Sequence, residues 1–375
     1  MPNITILGSG FGALTAIRAL RRRGVKADIT VLSPRPALHY LPSSIWIPSG
    51  AAAASDLKIP LAGFFKRYGA TFIETSVTGL RDGGRTVETD KGIFTNDQLV
   101  IATGGRLVKK LPGIEHALIP CEGLDAAEEI GRRLKSMDGG TIALGFSTNP
   151  NEQGAVRGGP VFEYAFIIDT MLRRQGRRDK FDLVFFNPAE RPGQRLGPKA
   201  VDALLAEMKR RGIRTVLGEK LVRFEADRVV TDKSEIQAGL IIFMPGITGP
   251  KWLENTGLPL SPGGMIKADS KCRVEGLAGV WVVGDAGSYP GPEWLAKQAH
   301  QADLQAKAAA ANIDAVLRAS EPVTDFKAEL VCIVDALDSG MLVYRSESRT
   351  LVSPRMWLFH WMKKAFEGLY LRPYR

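Results

Sequence analysis

Apolar residues open the chain in a short β-prone run, Ile4-Thr5-Ile6-Leu7. From Leu14 to Arg23 they recur at helical spacing and stop at Gly24, a residue suited to a helix C-cap. A second β-prone run, Asp28 to Leu32, completes a βαβ beginning. A polar, Pro-rich stretch runs from Ser33 to Gly50, and residues 57 to 103 predict a helix and several short strands, the last reading Leu99-Val100-Ile101-Ala102. From about 120 to 250, strands near Thr141–Leu144, Asp182–Phe186 and Leu240–Met244 alternate with helices near Ala126–Lys135, Val161–Arg173 and Lys199–Arg211. A strand at Val280–Val283 and an Ala/Gln-rich helix from about Trp294 to Ala319 precede an amphipathic end. The pattern predicts an α/β protein of two Rossmann-like units. The first is split, 1–110 with 270–320, the second spans 111–269, and 321–375 form a C-terminal cap.

A chain of 375 residues with 45% apolar and 24% charged positions is ordinary for a globular protein of two domains. The net charge of +10 fits solubility or an anionic surface. Its bases are dispersed, as in Arg21–Arg23 and Arg173, Arg174, Arg177 and Arg178, and no nucleic-acid module accompanies them, so nucleic acid is excluded as a partner. Three distant cysteines, Cys121, Cys272 and Cys332, have neither CxxC nor zinc spacing, which excludes a disulfide scaffold and a metal site. Cys272, between Lys271 and Arg273, reads as a surface thiol without a role. No secretory leader and no apolar run of spanning length is apparent, so a cytoplasmic location is expected.

The chemistry starts at Gly8-Ser9-Gly10-Phe11-Gly12-Ala13. A pyrophosphate must approach backbone closely and is held by free N–H groups at a helix start. Gly8 supplies the tight turn, Gly10 the approach, Gly12 lies in the same turn, and Ala13 permits close helix–strand packing. Such a turn is weak evidence alone, but here it follows a strand, opens a helix and begins the chain. The second strand ends at Ser33 rather than an acid, so Ser33 would bond a ribose hydroxyl without charge, and Arg35 suits a phosphate. Two later motifs, Ala102-Thr103-Gly104 and Val283-Gly284-Asp285-Ala286, stand in the order of flavoproteins of the disulfide-reductase superfamily, where such an Asp holds the flavin ribityl or phosphate groups. Together they point to FAD, with 1–110 and 270–320 as its domain.

With these motifs in place, the chain resembles the sulfide:quinone oxidoreductase family over nearly its whole length. Leu38-His39-Tyr40-Leu41-Pro42-Ser43-Ser44-Ile45-Trp46 looks like its flavin-flanking loop, and Gly159-Pro160-Val161-Phe162-Glu163-Tyr164 like the helix start near the substrate. Ile242-Phe243-Met244-Pro245-Gly246 is similar to the strand end that approaches the ring system, and Leu330-Val331-Cys332-Ile333-Val334-Asp335 to the strand carrying a redox cysteine. The tail from His360 to Glu367 resembles the family's membrane-associated end. The resemblance adds Pro42 and Val77 to the cofactor set of Gly8, Gly10, Gly12, Ala13, Ser33, Arg35, Thr103, Gly104, Gly284 and Asp285. After the strand near Thr141–Leu144, Gly145-Phe146-Ser147-Thr148-Asn149-Pro150 lacks a second GxGxxG, which argues against NAD(P)H as the electron source.

The resemblance implies sulfide oxidation through two cysteines, with quinone as acceptor. Cys332 matches one of them, but the position two residues before Gly159 holds Arg157. Cys121 matches a third family cysteine, near the flavin in some members and covalently bound to it in others. Three readings follow: Cys121 partners Cys332, Cys332 acts alone with a small thiol or second sulfide, or Arg157 marks a different, anionic substrate. Glu163 is either a first-turn dipole partner or a proton relay, and Lys363 a donor to quinone or flavin or a solvated lysine.

From Pro354 onward aromatics alternate with bases: Arg355, Trp357, Phe359, Trp361, Lys363, Lys364, Phe366, Tyr370, Arg372 and Arg375. This stretch suits a helix lying in the headgroup plane of an anionic leaflet, on the inner face of the cell membrane. The expected partners are sulfide or a small sulfur compound, quinone and the membrane surface, with homo-oligomerisation left open. The alternatives are the flavin subunit of a flavocytochrome-type sulfide dehydrogenase, a divergent FAD oxidoreductase with another substrate, and a non-catalytic flavin-binding protein.

Overall fold

A computed structural model describes residues 1–375, apart from the side chain of Asn255. The opening apolar runs form a five-stranded parallel sheet in the order Val280–Val282, Gln98–Ile101, Asn3–Leu7, Asp28–Ser33, Ala70–Glu74. Both faces are covered, which is why its strands read as continuous apolar runs and not as alternating ones. The helix Phe11–Arg22 packs against Ala299–Leu317, whose small Ala306, Ala309 and Ala310 let the two approach over Ala13, Ala16 and Ile17. Asn3–Leu7 has its sequential partner Asp28–Ser33 on one side and the later Gln98–Ile101 on the other, with Leu7 level with both Leu32 and Ile101. This reversal opens a crevice at the carboxyl ends of the strands, where open α/β sheets bind ligands.

A second parallel sheet repeats the plan in the order Arg214–Leu217, Phe181–Asn187, Gly140–Phe146, Leu240–Met244. The long helix Gly159–Arg174 is buried along Val161–Leu172, nearly all round, because it lies between this sheet and the C-terminal strands. Those strands, Glu329–Asp335, Gly340–Ser346 and Thr350–Val352, are antiparallel and lead into the final helix Trp357–Leu371. Among the described residues no helix is long and apolar enough to cross a membrane.

Three expectations need adjustment. The helix expected from Trp294 starts at Ala299, because Trp294 is drawn into the core and the chain between Pro290 and Gln298 follows the cavity wall. The stretch from Ser33 to Gly50, read as polar and Pro-rich, carries an apolar 3-10 helix, Leu41–Ser49, with Ile45 and Trp46 almost fully buried. Cys272 is no surface thiol. Its left-handed backbone (φ 67°) turns the sulfur inward, fully buried and 3.5 Å from the Gln305 carbonyl, while its charged neighbours face out.

Gly8 fixes the first turn. It has φ 106°, and a Cβ there would lie 2.5 Å from the Ala102 carbonyl oxygen; at Gly10 a Cβ would meet nothing within 4 Å. Gly8→Ala should therefore destabilise the protein by about 2–4 kcal/mol, from backbone strain and a clash with immovable backbone. Gly10→Ala should leave chemical denaturation of the ligand-free chain within about 1 kcal/mol of wild type.

Candidate active site

One cavity of about 1820 Å³ joins the crevices of both sheets and reaches the C-terminal helix. Nearly every residue expected at the site borders it: Gly8, Gly10, Gly12, Ser33, Arg35, Pro42, Val77, Thr103, Gly104, Gly284 and Asp285, with Cys121, Cys332, Glu163 and Lys363. Ala13 does not. It is fully buried one turn inside the helix, and the close helix–strand approach belongs to Gly12, where a Cβ would lie 2.8 Å from Val283 Cγ2.

The dinucleotide end is suited to FAD. The open side of Gly10 at the start of a 12-residue helix leaves room and free N–H groups for a pyrophosphate. Ser9 Oγ donates to the Arg35 carbonyl at 2.9 Å, so in the Ser9–Ser33 pair, 2.9 Å apart, Ser33 is the donor. Ser33 Oγ also accepts the Arg35 backbone N–H at 3.5 Å, which leaves it one lone pair to accept a ribose hydroxyl, the role an acid would fill. Thr103 Oγ1 and Gln298 Nε2 are buried with no hydrogen-bond partner among the described residues, and both border the cavity. Gln298 also occupies the N-cap position of the 19-residue helix Ala299–Leu317 without a capping side-chain bond, and that N-terminus faces the cavity with no acid in its first turn.

The redox end is organised by buried ion pairs. Arg157 pairs with Asp285. Burial opposes the charge on Asp285, but Arg157 and Lys297 hold its carboxyl below the usual range. Burial raises the Cys121 thiol, with Arg157 beside it partly offsetting that rise. Burial, reinforced by Glu163, pushes Cys332 up to about 12. Glu163 is ion-paired with Lys363 and accepts the Asp335 backbone N–H at 3.0 Å, while Lys363 also donates to the Ile333 carbonyl at 3.2 Å. Burial still raises the Glu163 carboxyl despite Lys363. Asp335 in turn accepts from Trp46 Nε1 at 3.1 Å and lies 2.7 Å from His360 Nδ1.

Sequence reasoning missed Lys297, whose ammonium burial lowers to about 8, and Arg195, on the loop after Phe181–Asn187. A lysine inside the apolar run Trp294-Leu295-Ala296 was the available signal for the first. It also missed Asp335 and His360, because their partners are remote in sequence.

A split parallel sheet with a glycine turn, a second Rossmann-like sheet and thiols at their junction define an FAD-dependent oxidoreductase. The chain belongs to the pyridine nucleotide-disulphide oxidoreductase family, whose pattern matches residues 2–306. It is similar to the sulfide-quinone reductase of Aquifex aeolicus, 24% identical over 398 residues covering 98% of this chain and 90% of that protein. The crystal structure of the sulfide:quinone oxidoreductase from that bacterium superposes with a TM-score of 0.90 at 21% identity, over 100% of this chain and 92% of that one. The type II NADH:quinone oxidoreductase of Staphylococcus saprophyticus is 20% identical over 365 residues, 91% of this chain and 89% of that protein. The Plasmodium falciparum NDH2 structure in complex with NADH gives a TM-score of 0.77 at 12% identity, over 100% and 96% of the two chains.

Removing one partner of the buried Glu163–Lys363 pair strands a charge. Lys363→Met should cost about 3 kcal/mol at neutral pH, with most of it recovered in Lys363→Met/Glu163→Gln. In the single variant the Glu163 carboxyl stays raised above its unfolded value. Stability is then fully present below the ordinary glutamate range and is lost as pH rises through the native value. Urea denaturation of both variants against pH checks this.

Proposed function

We propose that the protein oxidises sulfide, or a closely related sulfur compound, and delivers the electrons to quinone at a membrane surface. The observation that carries this reading is the position of Cys332: its strand borders the same cavity as the glycine turn and Asp285, beside the buried Glu163–Lys363 pair. The likeness to sulfide-quinone reductase over 98% of the chain supports it. In this reading residues 1–110 and 270–320 hold FAD, 111–269 form the second domain without a nicotinamide site, and 321–375 cap the redox end and anchor it. The second crevice supports the loss of nicotinamide binding. Phe146 ends the strand Gly140–Phe146 with no glycine turn after it, and its ring lies 2.6 Å from where a Gly158 side chain would begin.

When bound, FAD supplies the two-electron relay between the sulfur donor and quinone. The chain's own residues do the rest. Cys332 loses its proton, and its sulfur forms an S–S bond with hydrosulfide; two electrons leave, and the second proton departs. A thiol held near 12 by burial needs a nearby acceptor, and Glu163, raised by the same burial and bridged to Lys363, is placed to take that proton and return it toward the C-terminal helix. Arg157 stands where the resemblance expects the second thiol and pairs with Asp285; in this reading Cys332 is the sulfur-accepting thiol and Cys121 the flavin-side one.

Quinone is lipid-soluble, and the helix Trp357–Leu371 offers the approach. Trp357 (64% exposed), Trp361 (58%), Phe366 (56%) and Leu369 (70%) stand out of the protein, with Lys364 near the rings of Trp46 and Trp361. Met362, Lys363 and Phe366 also border the cavity, so the face that would enter the headgroup region adjoins the site.

Anaerobic titration of the FAD-loaded enzyme with sulfide tests the reading. Absorbance near 450 nm should bleach and return on adding quinone, with the bleaching rate falling more than about a hundredfold in Cys332→Ala. Unchanged bleaching in that variant would remove Cys332 from the reaction, and no bleaching in wild type would remove sulfide.

A further inference from the structure

Three cations converge on Asp285, the carboxylate just after the first-sheet strand Val280–Val282. Arg157 is paired with Asp285, and Lys297 and Arg195 bear on the same group. Glu152 also bears on Lys297, so two carboxylates face three cations. The other acids bordering the cavity are engaged elsewhere or exposed: Glu163 is held by Lys363, Asp303 by Thr15 and Tyr370, Glu122 by Lys109, and Glu293 faces solvent.

Arg195 is the least compensated. Its Nη1 donates to the Val156 carbonyl at 3.2 Å, while Nε and Nη2 are buried without any partner among the described residues. The residue is held in place. Gly193 (φ 82°) starts its 3-10 turn, Leu196 anchors the turn in the core, and Arg345, whose Cζ lies 5.0 Å over the Trp294 ring, donates from Nη1 to the Arg195 carbonyl at 3.1 Å. A fixed guanidinium with two unsatisfied N–H groups in a half-buried position is costly unless an acceptor is supplied. Phe146 and Asn187, the last residues of two adjacent parallel strands, border the same arm, which is the usual ligand crevice of such a sheet.

We propose that Arg195 and Arg157 form an anion subsite at the carboxyl edge of the second sheet, taking a small oxyanion as a second ligand beside the thiols. The planar fork of Arg195 offers paired N–H donors of the kind oxyanions accept, and Arg157, which bears on the same carboxylate, supplies the second cation. The subsite is independent of which compound donates electrons, so its test reads binding and not turnover.

Isothermal titration of the FAD-loaded protein with sodium sulfate at low ionic strength, against a sodium chloride blank, provides that test. One saturable site per chain is expected. Arg195→Gln should weaken it at least about tenfold, while Arg214→Gln, an exposed arginine paired with Asp182 away from the cavity, should not change it. Unsaturable heats in wild type, or equal affinity in wild type and Arg195→Gln, would overturn the proposal. If Arg195→Gln does not fold, Arg157→Gln is read in its place with the same expectation and the same contrary result.

Discussion

The ion pair between Glu163 and Lys363 is the contact on which the redox end depends. It joins residues 200 positions apart and ties the last helix to the buried helix Gly159–Arg174, with the Cys332 strand between them. Through its bond to the Asp335 backbone, Glu163 also fixes the end of that strand, and Asp335 carries the contact on to His360 and Trp46. Two buried carboxylates are thus each met by a cation or imidazole from the final helix. Such an arrangement contributes little net stability over apolar packing, but it has a single geometry that satisfies every partner. It sets the exposed aromatic face of the final helix directly over the thiol end of the cavity.

The second constraint is the departure at Arg157. A guanidinium where the resemblance leads one to expect a thiol changes the local charge from neutral to positive and commits Asp285 to an ion pair. Burial then makes each unpaired charge expensive, so the site is tuned by which ligand group takes up which partner. Lys297, lowered to about 8, and the half-satisfied Arg195 belong to the same imbalance. The cavity that Cys332 borders therefore carries an excess of positive charge a short way along its wall.

Much of the scaffold could be read from the chain. The strand Leu240–Met244 lies where its apolar run predicts, and the helices at Gly159–Arg174 and Pro198–Arg210 agree within two residues, because continuous apolar runs and helical spacing are local signals. The cavity-bordering glycines and Asp285 were legible for the same reason: turn, strand and helix follow one another directly. What failed depended on tertiary context. Trp294 looks like part of a helix but is captured by the core, and Cys272 looks exposed beside two bases but is turned inward by a left-handed backbone. Asp335–His360, Arg157–Asp285 and the orphaned Arg195 pair or isolate residues from distant segments, which no spacing rule reveals.

In the proposed function, electrons enter from a sulfur compound at Cys332 and not from a nicotinamide at the second sheet. The direct measurement is quinone reduction by the FAD-loaded enzyme on quinone-containing liposomes, with sulfide and NADH supplied separately at equal concentration. Sustained quinone reduction is expected with sulfide and none above background with NADH. Turnover with NADH, and not with sulfide, would contradict it and place the protein's activity with its type II NADH:quinone oxidoreductase relatives.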